Sequence, residues 1–399
     1  MSKGESTVRG INREAKGGRF GWKTVAAGVS AVMMLLAIGA VGCGGGGNSQ
    51  IFPFAGVWVA NGGGGNVLHF SGGVLNFAGA FNFPPSTFLN SGVFTSPQDT
   101  LFDKDGNLWV VDGGLNDGAG TGAAVFEFVS AQLASLNSQS APAPAFIVKA
   151  LAGATTFNFP QFAAFDGAGN LWISDAVNNV IFKFSAMQLT AATGVGLTPA
   201  AVLQGAVRGV FNGTLGIAFD PAGNLWVENN GGTTIVKITT AQLAAANGPT
   251  NPITPTTVLT SSVIAGGLPT INNPWGILFD AKGNMWITNE QLSVSACSGS
   301  VVEFAAASIA GVGILTPAPA VVITQAAING TTSQCDPNGI TMNKSGNITI
   351  ANAGNNTLAE FTAAQITTSG ALTPHLFLNG AATTLNGPTG LSYGPLTLQ

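Results

Sequence analysis

One pattern of apolar and polar positions recurs along the chain: two short apolar runs on either side of an Asp-x-x-Gly-Asn segment. In the clearest copy, Ile217–Phe219 and Leu225–Val227 carry large apolar residues at successive positions, which is typical of strands buried on both faces. Between them, Gly223 can adopt the positive φ of a tight turn, and Asp220 can accept hydrogen bonds from its backbone. The pattern therefore predicts a β-hairpin. Its glycine recurs at Gly106, Gly169, Gly223, Gly283 and Gly346.

Two more apolar runs follow each hairpin. Val180–Phe184 is an example of the third strand, and Ala200–Leu203 is an example of the fourth, which follows a Thr-Pro or Ala-Pro pair. Four strands in each repeat predict the blades of a β-propeller. Successive copies are 63, 54, 60 and 63 residues apart, which is longer than the ~40–50 residues of common blades.

A short insertion accounts for the extra length. After the third strand, each repeat has a run of small residues with a Leu or Ile at its end, which predicts one capped helical turn. We expect these turns between the third and fourth strands, on the face that holds the hairpin turns. The segments are Ser130–Leu133, Ala186–Leu189, Thr240–Leu243, Ala306–Ile309 and Ala363–Ile366.

The two ends of the repeat region complement each other. Gly56–Asn61 matches only a second strand, and Pro388–Tyr393 matches only a first strand. Five complete repeats and one shared between the ends predict an all-β, six-bladed propeller with four-stranded blades over residues 51–399. Pairing of the N- and C-terminal strands would complete the sixth blade as 1+3 and remove a free sheet edge, which would otherwise template aggregation.

Residues 1–42 have the layout of an export signal. Six basic residues precede an uncharged apolar stretch, 24–42, which ends in Ala40-Val-Gly-Cys43. This ending resembles a bacterial lipobox, which implies cleavage before Cys43, lipid on its thiol and a Gly-rich linker over 43–50. The alternative is an uncleaved membrane anchor, because the apolar stretch is close to the length of a span. By the same resemblance, Gly44 favours the outer membrane or the cell surface.

Removing this segment makes the chain acidic. The first 23 residues carry six of the 13 basic and two of the 17 acidic side chains, so seven basic and 15 acidic side chains remain, a net charge of −8. That balance excludes nucleic acid, which requires clustered Lys and Arg. It also excludes electrostatic binding to anionic lipid, so we expect the protein to meet the membrane only through its lipid anchor. We also expect a monomer.

The order Pro-x-Gly-Ile-x-Phe-Asp-x-x-Gly-Asn-Leu-Trp-Val resembles the NHL repeat over nearly all of residues 51–399. It is also similar to the wider group of six-bladed propellers that includes the SMP-30/gluconolactonase-like hydrolases. The resemblance implies a functional face, the mouth, built from residues that enter the first strands and residues that leave the second. The first set is Gln98, Asp99, Gln161, Thr214, Trp275, Asn338 and Thr389. The second set is Asn61, Asp112, Asp175, Asn229, Asn289 and Asn352.

This mouth is rich in amides, which hydrogen-bond sugars and peptides but cannot shuttle protons. The SMP-30-like hydrolases hold a divalent metal, and by position its ligands would come from Asp112, Asp175, Glu228 and Glu290. No glutamate stands at the start of the mature chain, where that family supplies one, and Glu228 is expected to point away from Asn229. We therefore expect no cofactor, with calcium as the alternative in the loop that carries Asp112, Asn116 and Asp117. A flexible glycine loop is the other interpretation of that segment.

Other reactive side chains are few. His69 falls in a third strand and His375 at the start of an outer strand, so both are expected away from the mouth. Cys297 and Cys335 belong to adjacent blades on the mouth face, and an exported chain favours a disulfide over two free thiols. Asp103–Asn107 looks like the start of a calcium loop, but it occupies the place of a hairpin turn. The tryptophans Trp58, Trp109, Trp172, Trp226 and Trp286 are expected in the core rather than stacked on a sugar.

No catalytic residue is therefore predicted. The sequence favours a surface- or periplasm-exposed binding or scaffold module for protein, peptide or glycan. The alternatives are a metal-dependent hydrolase or lyase of the same fold and a structural component of the envelope. The ligand-site prediction comprises Asn61, Gln98, Asp99, Asp112, Gln161, Asp175, Asn229, Trp275, Asn289, Asn338 and Asn352.

Overall fold

The computed structural model describes residues 55–115, 120–136, 141–149, 156–190, 196–263, 269–290, 297, 299–324, 327–328, 331–332 and 335–395. The predicted signal, the lipidated Cys43 and the linker lie outside these ranges, as do Asn116 and Asp117. None of the helices in these ranges has the length and apolar character that a membrane span needs.

Six sheets, each with four antiparallel strands, form the blades, which confirms the predicted six-bladed propeller. The innermost strands of blades 1 to 6 contact one another in a ring. They are Pro97–Phe102, Pro160–Phe165, Thr214–Phe219, Pro274–Phe279, Pro337–Met342 and Pro388–Tyr393. The second strands are Leu108–Asp112, Leu171–Asp175, Leu225–Asn229, Met285–Asn289, Ile348–Asn352 and Gly56–Asn61.

The third and fourth strands complete each blade on its outer side. The third strands are Ala124–Phe128, Val180–Phe184, Thr234–Ile238, Ser300–Phe304, Thr357–Phe361 and Asn66–Ser71. The fourth strands are Phe146–Val148, Ala201–Gly205, Thr257–Thr260, Val321–Thr324, Leu376–Leu378 and Thr87–Leu89. A separate small hairpin pairs Ala327–Ile328 with Thr331–Thr332.

The two chain ends meet in blade 6, as predicted. Val57 lies opposite Tyr393 and Val59 lies opposite Leu391 in an antiparallel pairing of the second strand with the C-terminal innermost strand. Hydrogen bonds to a strand more than 300 positions away thus close the ring, and the C-terminal strand pairs with a second strand as the other five innermost strands do.

Within the described ranges, four blades carry a fifth strand that the sequence did not reveal. The insertion after the third strand of one blade runs back to the preceding blade and pairs in parallel with its fourth strand. These straps link neighbouring blades at the outer rim. They are Gly248–Ile253, Gly313–Leu315, Gly370–Ala371 and Gly79–Phe81, on blades 2 to 5 respectively.

The inserted helical turns stand where the sequence placed them. Four are α-helices, and the turn of blade 5 is a 3-10 helix, Gln365–Thr367. The asparagine of the hairpin signature fixes their position: Asn107 Oδ1 accepts from the Ser130 N–H at 3.0 Å, and Asn170 Oδ1 accepts from the Ala186 N–H at 3.0 Å. The α-helices are Ser130–Ala134, Ala186–Leu189, Thr240–Ala245 and Ala306–Ile309. The other 3-10 turns are Gly62–Gly64, Val74–Asn76, Asn230–Gly232, Ala353–Asn355 and Ala381–Thr383.

The aspartate of the hairpin signature connects the turn to the core. Asp103 Oδ1 accepts from the backbone N–H groups of Asp105 and Asn107, both at 2.9 Å. Its Oδ2 accepts from Trp109 Nε1 at 3.0 Å. The same bonds recur in blades 2 and 3. Asp103–Asn107 is therefore a hairpin turn, and its carboxylate holds the buried indole in place.

The core lies between neighbouring blades. Trp109 of blade 1 packs in one cluster with Leu171 and Ile173 of blade 2, and Trp226 of blade 3 packs with Ile277 and Ile287 of blade 4. All five tryptophans of the predicted series are at most 2% exposed. The prediction that they belong to the core is confirmed.

Candidate functional site

The second strands end at the mouth with one polar residue in each blade, and all six are buried. In blade 1, Asp112 accepts hydrogen bonds from the backbone N–H groups of Thr95 at 2.8 Å, Ser96 at 3.1 Å and Gly114 at 2.8 Å. Burial raises the pKa of the Asp112 carboxyl, and these N–H groups oppose that rise. Asp175 is held in the same way in blade 2, where its nearest donor is the Asn158 N–H at 2.7 Å.

Asparagines stand at the same position in the other four blades. Three of them form hydrogen bonds to the backbone through both the oxygen and the nitrogen of the side-chain amide. Asn289 Oδ1 accepts from the Asn272 N–H at 2.9 Å, while its Nδ2 donates to the Thr270 carbonyl at 3.1 Å. Asn229 makes the matching pair of bonds in blade 3, and Asn61 makes them in blade 6. In blade 5, Asn352 Nδ2 donates to Thr357 Oγ1 at 3.2 Å. Asn61, Asn229 and Asn289 thus fasten the segment that leads into the first strand, whereas Asn352 bonds to the third strand.

The second position of each innermost strand varies in residue type from blade to blade. It holds Gln98, Gln161, Leu215, Trp275, Asn338 and Thr389. The strand register places Leu215 rather than Thr214 at this position, because Thr214 pairs with Asn229 at the strand end. Gln98 Nε2 donates to Ser96 Oγ at 2.7 Å, and Thr389 Oγ1 donates to the Pro97 carbonyl at 3.1 Å.

Three side chains at this position have polar atoms without a partner. Gln161 Nε2, Trp275 Nε1 and Asn338 Oδ1 are buried, and none makes a hydrogen bond within the described part of the chain. Gln161 is 1% exposed and Asn338 is 4% exposed. A buried polar group without a partner costs ~1–3 kcal/mol, so each of these three atoms requires an explanation.

At the third position, neighbouring innermost strands come close together. Blades 3 to 6 have a glycine there, and a Cβ added to Gly390 would lie 2.2 Å from Asp99 Oδ1. Asp99 stands at the same position in blade 1, where its Oδ2 accepts from the Ala163 N–H at 3.2 Å. Burial raises the pKa of Asp99 to about 8, against the effect of that backbone bond. Burial therefore favours the protonated form of this carboxyl.

Glu228 is another buried acid. It is 0% exposed, and neither of its carboxyl oxygens has a hydrogen-bond partner among the residues described. Its counterparts Ser174 and Thr288 are hydroxyls, which accept from the Phe162 and Gly276 N–H groups at 3.1 and 2.9 Å. Burial raises the pKa of Glu228 well above its ordinary value.

Two carboxyl groups at the mouth between blades 4 and 5, those of Glu290 and Asp336, interact through their charges. Glu290 follows the second strand of blade 4, and its N–H donates to the Asn273 carbonyl at 3.1 Å. Burial and then the charge of Asp336 raise the pKa of Glu290 to about 7, while a hydrogen bond from Asn230 opposes the rise. The sequence named Glu290 only as a positional metal ligand and missed Asp336, although Asp336 directly follows a cysteine of the predicted disulfide.

The disulfide between Cys297 and Cys335 is confirmed. The two Cα atoms are 4.3 Å apart, and the bridge joins positions 38 residues apart. It links the loop after the second strand of blade 4 to the segment that leads into blade 5. It therefore anchors the residue adjacent to Asp336.

The two histidines have structural environments. The ring of His69 stacks on Trp58, with centroids 4.5 Å apart and an interplanar angle of 16°. His69 is 3% exposed inside blade 6. The carbonyl of His375 accepts from the Gly79 N–H at 2.7 Å and so anchors the strap on blade 5.

A divalent metal of the kind that the resemblance implies does not fit these residues. Asp112 and Asp175 are occupied by backbone N–H groups, and Glu228 is enclosed inside the propeller. Of the four positional candidates, only Glu290 keeps a carboxyl at the mouth. The described ranges contain no group of three His, Cys, Asp or Glu side chains that could hold a metal ion.

Comparison with known proteins shows similarity of fold and does not identify an activity. No protein-family model and no curated protein sequence matches the chain. A protein of unknown function from Bacteroides caccae has a TM-score of 0.50 at 10% identity, over 84% of this chain and 97% of that one. A Bacteroides fragilis protein provisionally assigned as a 6-phosphogluconolactonase has a TM-score of 0.49 at 14% identity, over 84% and 96%.

A third similar structure is the virginiamycin B lyase from Staphylococcus aureus. It has a TM-score of 0.37 at 12% identity, and 67% of each chain is covered. At identities this low, the likeness shows a shared propeller fold alone, because unrelated activities occur on this scaffold.

Proposed function

We propose that this chain is a non-catalytic binding module of the NHL type, and that its mouth binds a peptide segment of another protein. The observation that carries the proposal is the set of three unpartnered polar atoms on Gln161, Trp275 and Asn338. A peptide backbone offers both carbonyl acceptors and N–H donors. A peptide that displaced the side chains covering these buried atoms and paired with them would remove the cost of leaving them unpaired.

Apolar side chains on the surrounding loops support a peptide more than a glycan. Leu115 and Val177 lie on loops that follow second strands, and Val207 and Val263 lie on segments that lead into first strands. All four are exposed, with Val263 the most exposed at 72%. Such side chains give a peptide apolar contacts beside the amides.

Export and lipid anchoring at Cys43 belong to the same proposal. The disulfide supports them, because such bonds persist in oxidising compartments. Metabolic labelling with a fatty acid, in the wild type and in Cys43→Ala, tests the anchor. Lack of label in the wild-type chain would reject it.

The binding proposal predicts the effect of removing the unpartnered amides. Gln161→Leu and Asn338→Leu should each weaken binding of a peptide found on a peptide array by at least tenfold. Each should also raise the free energy of unfolding by about 1 kcal/mol, because an unsatisfied buried group is lost. Isothermal titration and urea denaturation measure the two effects.

Gln188→Leu is the matched control. Its Nε2 donates to the Thr198 carbonyl at 2.7 Å on the hairpin face, away from the mouth. This variant should lose some stability and bind the peptide normally. Arrays that yield glycans instead of peptides, or variants that bind as the wild type does, would contradict the proposal.

A metal-dependent hydrolase or lyase is the second candidate, and only the Glu290–Asp336 pair favours it. A cation held by two carboxylates would stabilise the native state with the logarithm of its free concentration, by about 2.7 kcal/mol at a hundredfold excess over the Kd. We expect calcium or zinc to leave the melting temperature within about 1 °C. A larger rise that is lost in Glu290→Gln would favour the enzyme instead.

A further inference from the structure

The residue opposite each core tryptophan differs between blades. On the third strand, Lys183 lies opposite Trp172 and Lys237 lies opposite Trp226. Their Nζ atoms stand 4.9 and 5.4 Å from the indole centroids. An ammonium over an indole is a favourable cation–π arrangement. In blades 2 and 3, the protein therefore supplies its own cation beside the tryptophan.

Blades 1 and 4 have an acid at the same position. Glu127 lies opposite Trp109, and Glu303 lies opposite Trp286. In both blades an open cavity lies beside the tryptophan, between the hairpin turn of that blade and the following blade. We call these cavities the blade 1 groove and the blade 4 groove. Both lie on the hairpin face, away from the mouth.

The blade 1 groove has a volume of about 550 Å³ and an acidic wall. Asp103, Asp105 and Asp166 join Glu127 around it. Lys104 is the cation in this wall, and its Nζ is already paired with Asp105 at 2.7 Å. Burial and then the charges of Asp103 and Asp105 raise the pKa of Glu127 to about 7.

The other side of the blade 1 groove is apolar. Phe165 and Leu189 of blade 2 contribute to its lining. An alkyl chain of four carbons can pack on such side chains while its charged end reaches the carboxylates. Trp109 is only 2% exposed, so the carboxylates would hold the charge and the indole would form part of the wall.

The blade 4 groove differs from the blade 1 groove in the hydrogen bonding of its tryptophan. Its volume is about 490 Å³, and Trp286, Glu303 and Asp280 line it. Trp286 is 2% exposed, and its Nε1 has no hydrogen-bond partner in the described structure. The indoles of blades 1 to 3 donate to the aspartate of their own turn. Blade 4 lacks that bond, and its buried indole lies at the wall of this groove.

We propose that the blade 1 and blade 4 grooves each bind a lysine side chain of a peptide or partner protein, with the blade 1 groove the tighter site. The ammonium takes the place that Lys183 and Lys237 fill in blades 2 and 3. The alkyl stem lies on the apolar wall. Lys282 lines the blade 4 groove and lowers its negative charge, which explains the order of affinity. This proposal is independent of the mouth.

The probe is acetyl-Gly-Lys-Gly-amide, followed by NMR at the tryptophan indole resonances and by titration calorimetry. Acetyl-Gly-norleucine-Gly-amide is the uncharged control, because it keeps the alkyl stem without the charge. We expect the lysine peptide to bind at least tenfold more tightly than the norleucine peptide. The indole signals of Trp109 and Trp286 should shift on binding.

Substitutions that swap Glu and Lys between equivalent positions of the blades test each site separately. Glu127→Lys puts into blade 1 the residue found in blade 2, so it should weaken the blade 1 site at least tenfold without loss of thermal stability. Glu303→Lys should do the same in blade 4, and the double variant should lose both sites. Conversely, Lys183→Glu should create a new site, seen as a shift of the Trp172 indole signal.

Two results would overturn the proposal. Equal binding of the two peptides, or no binding of either, would reject a cation site. Wild-type affinity in the folded Glu127→Lys, Glu303→Lys double variant would show that the peptide binds elsewhere. Circular dichroism and melting curves establish that each variant is folded.

Discussion

Replacing Glu228 with threonine is expected to raise the free energy of unfolding at pH 7 by about 3 kcal/mol, since a buried group without partners is costly. Thr288 shows why threonine suits the site: its Oγ1 accepts from the Gly276 N–H at 2.9 Å and donates to the Asn338 carbonyl at 2.6 Å. The carboxyl of Glu228 makes neither bond. The Glu228 side chain also packs tightly against Gly216, since a Cβ built on Gly216 would lie 2.2 Å from Glu228 Oε2. The shorter threonine side chain relieves this crowding.

The same substitution should change the dependence of stability on pH. The pKa of Glu228 is raised in the native state, so the native chain keeps a proton that the unfolded chain releases above the ordinary glutamate pKa of 4.5. Stability therefore falls as the pH rises above that value, by about 1.4 kcal/mol per pH unit for each such group. Asp99 adds a second such loss between its ordinary pKa of 3.8 and about 8.

Urea denaturation at pH 5, 6, 7 and 8 measures both effects. The wild type should be more stable at pH 5 than at pH 8. Glu228→Thr should retain only the part of the slope that comes from Asp99 and the less buried acids. Glu228→Gln is the matched control, because it removes the titration but leaves a buried amide to be satisfied. An unchanged slope in both variants would refute this assignment.

Removing the disulfide is expected to cost about 4 kcal/mol of unfolding free energy. This value follows from the chain-entropy relation for a loop of 38 residues. The variant is Cys297→Ser with Cys335→Ser, compared with the oxidised wild type by urea denaturation. The two single variants should match the double variant, because each breaks the same bond.

Reduction of the wild type gives the matched control for that prediction. A thiol reductant should lower the stability of the wild type to that of the double variant and leave the variant itself unchanged. A loss below about 1 kcal/mol would mean that the unfolded chain gains little freedom when the bond is broken. The entropic account of the bridge would then be wrong.

The sequence by itself determined the number and kind of blades. Each Asp-x-x-Gly-Asn turn is a local structure, and its residues carry the geometry within a few positions. Repetition of that signal sufficed to count the blades. The unmatched strands at Gly56–Asn61 and Pro388–Tyr393 predicted the closure, because the pieces complement each other. The disulfide followed from the same repeat, which put Cys297 and Cys335 in adjacent blades.

Only the tertiary structure decided which polar residues are occupied and which are free. Asp112 and Gln161 both belong to a polar mouth in the sequence, yet Asp112 accepts three backbone N–H groups while Gln161 Nε2 has no partner among the described residues. Neither the Glu290–Asp336 pair nor the straps have a local signature, because both join different blades. Burial and charge coupling depend on what surrounds a side chain in space, and distant parts of the chain supply those surroundings.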